Sequence, residues 1–257
     1  MKNIVLRMLL LIIALYVGAS YYLYSTQNEK VFNRKSLKSI TPVNAKLIEF
    51  KTSDGLVLEG AFIKHGDNLP LVLYFGGNNG NVVGFLDEVA SKIDNYNFVA
   101  FNYPGYANSQ GKPSEQNVLK YANEIYAKYK PDIVVGRSLG TAVAIDVASK
   151  NSAQKLLLIT PIDSILNIAK SRYPFLPISM LLKDKFQADI WAKNLKAKVA
   201  VVLVENENIV PKKSMDNILG VLGKRVIFKT TIKDANHIDI YSHNIADTIK
   251  NALDSLI

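Results

Sequence analysis

"DIVVGRSLGTAVAIDVASK", residues 132–150, decides the fold. Its first part, Ile133-Val134-Val135, is a short β-branched run suited to a buried strand, and its second part, from Thr141, is an Ala- and Val-rich stretch suited to a helix packed on that strand. Between them stands Gly136-Arg137-Ser138-Leu139-Gly140. At a strand-to-helix junction, G-x-S-x-G makes a sharp turn in which the serine is held in a strained conformation, and the two glycines let the helix approach the neighbouring strands. Ser138 is therefore the candidate nucleophile. In another setting the same five residues would leave Ser138 as an ordinary helix N-cap; the flanking strand and helix favour the nucleophile.

Outward from this junction the chain alternates. Apolar runs at 70–75, 97–102, 132–135, 155–159, 199–204 and 225–232 read as strands. Stretches long enough for helices, at 81–93, 114–129, 139–150, 212–223 and 243–256, lie between or after them. Buried strands alternating with helices predict an α/β fold with a mostly parallel sheet covered on both faces. "KLIEFKTSDGLVLEGAFIK" adds an antiparallel hairpin at its start, turning at Asp54-Gly55. The longer stretch 161–195 breaks the rhythm and is rich in aromatic, Leu and Pro residues.

A serine hydroxyl needs a base that takes its proton and later returns it to the leaving group, and histidine suits that work at neutral pH. After a G-x-S-x-G turn of this kind the base falls on the loop that follows the last strand. His237 stands there, beyond the strand expected to end at Ile232 and just before the C-terminal helix. His65 comes too early, in a "KHGDN" turn, and His243 falls at the start of the final helix, where a surface or capping role fits.

Composition excludes other classes. The 257 residues contain no cysteine, which removes disulfides, thiolate zinc sites and a cysteine nucleophile. The three histidines lack the i, i+4 spacing of a helical metal site, so neither a metal nor another cofactor is expected. Of the net charge of +9, residues 1–46 carry +6 (seven Lys/Arg, one Glu) and residues 47–257 carry +3. A basic stretch beside an apolar segment suits anionic headgroups better than nucleic acid, and no nucleic-acid partner is expected.

That apolar segment is N-terminal. Nineteen uncharged residues run from Met8 to Thr26, with Tyr21, Tyr22 and Tyr24 at their far end. The length is enough to span a bilayer, and tyrosines suit its interface. A cleaved signal peptide competes, because Val17-Gly18-Ala19 resembles a small-residue cleavage site; the continuation of the apolar run past Ala19 favours an uncleaved anchor. Lys2 and Arg7 precede the segment while Lys30, Arg34, Lys35 and Lys38 follow it. The short basic N-tail favours a folded domain on the non-cytoplasmic side. The expected organisation is an anchor at 1–26, a basic tether at 27–45 and one folded domain at 46–257.

Over residues 46–257 the chain resembles the membrane-anchored α/β-hydrolase domain-containing serine hydrolases, whose relatives include protein depalmitoylases and lysophospholipases. The resemblance rests on ordered motifs: the hairpin "TSDGLVLEGAFI", the oxyanion segment "YFGGNNGN", the loop "FNYPGYANSQGKPSE", the "GRSLG" turn, the cap "PFLPISMLLKDKFQA", and the acid and base loops "ENENIVP" and "ANH". It implies an α/β-hydrolase fold and a Ser-acid-His triad of Ser138, Glu207 and His237. It also implies an oxyanion hole from the backbone N–H groups of Asn78 and Leu139. Two departures stand out. Gly76-Gly77-Asn78 replaces the usual His-Gly-Asn, which need not remove a backbone donor. Glu207 stands where the family commonly has Asp, and its extra methylene demands a different rotamer or backbone. Glu205 reads as the solvated end of the strand, and Asp234 is too close to His237 in sequence.

The insert 161–195 is expected to cap the Ser138 pocket, with Phe175, Met180, Leu181 and Phe186 lining a slot for an acyl chain. Together these features imply hydrolysis of an ester or thioester in an amphiphilic acyl substrate, either a lipid or an acylated protein. A catalytically inactive membrane-tethered binding module and a serine peptidase on the same scaffold stay open as alternatives.

Overall fold

The computed structural model describes residues 2–35, 37–243 and 245–257. An N-terminal helix α1 (Lys2–Val31) leads into the folded body, which opens with the strands β1 (Lys46–Lys51) and β2 (Val57–Ile63). These form the expected hairpin, paired from Lys46↔Phe62 to Lys51↔Val57. Gly55 takes the positive φ of 89° that the turn requires. Asp54 ties this turn to the next layer by accepting hydrogen bonds from Lys120 and Tyr121 at 2.9 and 2.7 Å.

From there strand and helix alternate: β3 (Leu71–Phe75), α2 (Val82–Glu88), β4 (Asn97–Phe101), α3 (Glu115–Tyr129), β5 (Ile133–Arg137), α4 (Leu139–Asn151) and β6 (Lys155–Ile159). The insert follows as three short helices, α5 (Ile165–Arg172), α6 (Ile178–Leu181) and α7 (Ala188–Trp191). The chain ends with β7 (Lys198–Asn206), α8 (Lys212–Leu222), β8 (Val226–Asn236) and α9 (Ile245–Asp254). One eight-stranded sheet results, in the order β1-β2-β4-β3-β5-β6-β7-β8. Every pairing from β4 to β8 is parallel. Short buried strands joined by helical crossovers leave few other solutions.

Side chains alternate between two cores. Leu73, Phe75, Val134, Leu156 and Leu158 face the core shared with α3, α4 and the insert. Val72, Tyr74, Ile133, Val135 and Leu157 face the core shared with α2 and α9. Each fully buried aliphatic or aromatic side chain contributes roughly 1.5–3 kcal/mol. The two-sided burial explains why the central strands read as unbroken apolar runs.

Two boundaries differ from the sequence reading. The last strand runs past Ile232 to Asn236 because a bulge between Val204 and Asn206 lets Asn206 pair with Asn236. The first helix continues past Thr26 to Val31, and Gln27, Val31 and Phe32 are buried against the body. The polar composition of this stretch hides one decisive residue: Phe32 sits edge-on to Phe186, ring centres 5.9 Å apart.

The order also fixes where a site belongs. β3 leads away to β4 on one side, and β5 leads away to β6 on the other. A crevice opens beyond the carboxyl ends of strands that diverge in this way. Gly76-Gly77-Asn78 follows β3 there, and Ser138 follows β5.

Candidate active site

Ser138 has φ 51° and ψ −118°, a region that L residues rarely occupy, and its side chain makes no capping bond to α4. It is therefore not the ordinary helix N-cap. The turn is tight because both glycines have backbone against them. A Cβ at Gly136 would lie 2.3 Å from the Gly140 carbonyl oxygen, and one at Gly140 would lie 2.2 Å from that of Phe75. The Ser138 amide donates to the Ile159 carbonyl at 2.9 Å, tying the turn to the neighbouring strand.

His237 follows β8 directly and is 6% exposed. Its Nε2 lies 3.0 Å from Ser138 Oγ and its Nδ1 lies 2.8 Å from Glu207 Oε2. Glu207 is held by its own loop: Oε1 accepts the amides of Ile209 and Val210 at 2.8 and 2.9 Å. One carboxylate thus folds back onto these amides and still reaches the imidazole, so the extra methylene relative to Asp is accommodated. Burial pushes the Glu207 carboxyl up, but the His237 hydrogen bond, the Val210 amide, the imidazole's charge and the Ile209 amide outweigh it. The group is held below the usual carboxylate range. An ionised acceptor at Nδ1 fixes the tautomer: Nδ1 carries the proton and Nε2 is left to accept from Ser138.

The loop after β3 passes close to the serine; a Cβ at Gly77 would lie 3.5 Å from Ser138 Cβ. The Gly77 carbonyl accepts from the Gly80 amide at 3.1 Å. In a trans peptide the following N–H points the opposite way, so the Asn78 amide is turned out of the loop. Tyr103 and Tyr106 donate to the Gly76 and Asn78 carbonyls, each at 2.9 Å, and set these peptide planes. Leu139 is the first residue of α4, and its amide has no acceptor within the helix. Asn78, Leu139, Ser138 and His237 all line one cavity of about 870 Å³.

Composition did not reveal a role for Arg137, the variable residue before the serine. It is 9% exposed, and its guanidinium donates to the His237 carbonyl at 2.6 Å and lies 4.7 Å from the Tyr241 ring centre. It braces the loop that carries His237. Its place inside the G-x-S-x-G turn is the one sequence signal that could have pointed to it.

The four residues expected to line an acyl slot are elsewhere. Phe186 is fully buried in the core against Phe32, Phe175 and Met180 are almost wholly exposed, and the Leu181 carbonyl accepts from Gln27. The apolar wall comes instead from Ile162, Ile165 and Ile168 of the insert, Val210 beside Glu207, and Leu23 and Val31 of α1. His65 is exposed, and His243 pairs with Asp239 at 3.4 Å. Glu205 and Asp234 are both exposed, Glu205 accepting the Asp234 amide at 2.9 Å, and the acid at the imidazole is Glu207.

No protein-family model matches the chain. It is 30% identical over 197 residues to protein bem46 of Schizosaccharomyces pombe, a match covering 68% of this chain and 65% of that protein. It is 35% identical over 156 residues to the alpha/beta hydrolase domain-containing protein WAV2 of Arabidopsis thaliana, covering 53% and 50%. The matches thus span half to about two-thirds of these relatives. Among solved structures, an esterase of Pyrococcus furiosus superposes with a TM-score of 0.62 at 15% identity, over 86% of this chain and 98% of the esterase.

Proposed function

We propose, from the premise that the chain is an α/β-hydrolase-fold homologue of the alpha/beta hydrolase domain-containing proteins, that it is a serine hydrolase cleaving carboxylic esters or thioesters. The reading is carried by one observation: a strained Ser138 whose Oγ is 3.0 Å from an imidazole that is itself 2.8 Å from a buried carboxylate. A structural serine has no need of that relay.

The chemistry follows from the geometry. As Ser138 Oγ attacks the substrate carbonyl carbon, its proton passes to His237 Nε2, and the carbonyl oxygen becomes an anion. The Asn78 and Leu139 amides receive that oxygen. Fixed donors in a partly buried site lower the barrier more than the same contacts would in water. Collapse expels the alcohol or thiol, protonated by His237, and leaves an acyl-Ser138 ester. A water molecule deprotonated by His237 then releases the acid and restores the serine. Glu207 stays ionised throughout and stabilises the imidazolium.

The apolar wall of Ile162, Ile165, Ile168 and Val210 suits an acyl chain, and α1 supplies the anchor that keeps the body beside amphiphilic substrates. α1 is long and apolar enough to cross a membrane, and its apolar window is wholly unburied. The deciding experiment is fluorophosphonate labelling of the parent chain and of Ser138→Ala. Labelling of the parent alone is expected; equal labelling of both would remove Ser138 from the scheme. A parent chain that neither labels nor cleaves any acyl ester would return the fold to a binding role.

A further inference from the structure

Two large apolar side chains of the insert serve neither core nor cavity. Phe175 and Met180 are 88% and 86% exposed. Single exposed apolar residues are ordinary, but the position of these two is not. Gln27 of α1 clamps the backbone next to them: its Nε2 donates to the Leu181 carbonyl at 3.0 Å, and its Oε1 accepts the Lys183 amide at 2.7 Å. The Lys183 ammonium lies 4.5 Å from the centre of the Tyr24 ring. α6 is thereby fixed at the height of Tyr24 and Gln27 on α1.

That height has a physical meaning. The uncharged run from Met8 to Thr26 rises about 28 Å as a helix, close to the roughly 30 Å hydrocarbon core of a bilayer. Tyr21, Tyr22 and Tyr24 then fall at the headgroup boundary, where tyrosine concentrates, and α6 falls there with them. The cavity reaches both α1 and the segments that flank Phe175 and Met180. Its wall includes Leu23 and Gln27 of α1, Tyr173 just before Phe175, and Leu182 just after Met180. Lys170, Arg172 and Lys183 place positive charge on the same insert, suited to anionic headgroups.

We infer that Phe175 and Met180 form a lipid-docking surface that seats the mouth of the Ser138 cavity on the bilayer, so that the substrate is an amphiphile drawn directly from the membrane interface. This rests on the reading of α1 as a membrane anchor, and the test separates the two. The chain has no cysteine, so Phe175→Cys, Met180→Cys, Leu15→Cys and Lys224→Cys can each carry one environment-sensitive fluorophore. The full-length proteins are reconstituted in phosphatidylcholine and phosphatidylglycerol vesicles containing nitroxide lipids. Labels at 175 and 180 should be quenched by shallow nitroxides, the label at 15 by deep ones, and the label at 224 by neither. Quenching at 15 without quenching at 175 and 180 would overturn the docking surface and leave the anchor standing. No quenching at 15 would overturn both.

Activity supplies the second arm. In a Phe175→Ser/Met180→Ser double variant, turnover of a vesicle-borne long-chain ester should fall about tenfold while turnover of a dissolved short-chain ester is unchanged. Equal loss on both substrates, or no loss on either, would overturn the inference.

Discussion

Glu207→Gln tests the proton relay at its least obvious point. The glutamine carbonyl oxygen must take the place of Oε1, because the Ile209 and Val210 amides donate there at 2.8 and 2.9 Å. The reverse placement would set an NH₂ group against two N–H donors. The NH₂ then faces His237 Nδ1 across the present 2.8 Å, which forces Nδ1 to accept and shifts the ring proton to Nε2. An Nε2–H aimed at Ser138 Oγ across 3.0 Å cannot take the serine's proton. Restoring the productive tautomer sets two N–H groups against each other in a buried site. The expected cost is on the order of 4–5.5 kcal/mol in the barrier, or roughly 10³–10⁴ in kcat. Because both backbone bonds survive, the variant should remain folded, with Tm within a few degrees of the parent. The assay is kcat on a dissolved p-nitrophenyl ester, with circular dichroism melts as the folding control. A folded variant with kcat within about threefold of the parent would refute this account of Glu207.

Other predictions follow from neighbouring contacts. Arg137→Gln removes the brace under the His237 carbonyl, and kcat should fall about tenfold with little change in KM; unchanged kcat would make the contact incidental. Two phenylalanines of the insert should behave oppositely in urea melts: Phe186→Ala should cost about 3–5 kcal/mol, and Phe175→Ala should stay within about 0.5 kcal/mol. The depressed Glu207 carboxyl has a pH signature. A carboxyl held below its unfolded value adds stability that is full above about pH 4.3 and is lost as pH falls through the lower folded value. The parent should therefore lead Glu207→Gln in urea midpoint at pH 7, and the gap should narrow as the pH is lowered below about 4.3. A gap that widened on acidification would reverse the assigned direction.

The meeting of Ser138 with His237 was readable in the sequence because the constraints on both are local. G-x-S-x-G requires its glycines where backbone approaches within van der Waals distance, and His237 follows the final strand whatever surrounds it. Glu207 was readable only through the flanking Ile209-Val210-Pro211 pattern, since spacing alone does not separate it from Glu205. The insert was opaque. Neither the helical nor the strand period runs through 173–187, so nothing in the order of residues tells Phe186, which faces Phe32, from Phe175, which faces outward. Residues 27–32 were obscured differently: a polar composition suggests a tether, while Gln27 and Phe32 dock the helix end onto the body. Such long-range pairings, over about 150 residues, leave no local trace.

The unbroken course of α1 from Lys2 to Val31, ending in buried contacts, has a kinetic consequence. A helix without a joint mounts the body at one height and one azimuth, where a flexible linker would let it sample a volume. On the proposal that α1 anchors the body and the substrate lies in the bilayer, the search for substrate becomes two-dimensional, and the rate follows the surface mole fraction of the substrate. Diluting the bilayer with inert lipid should slow turnover at constant bulk concentration.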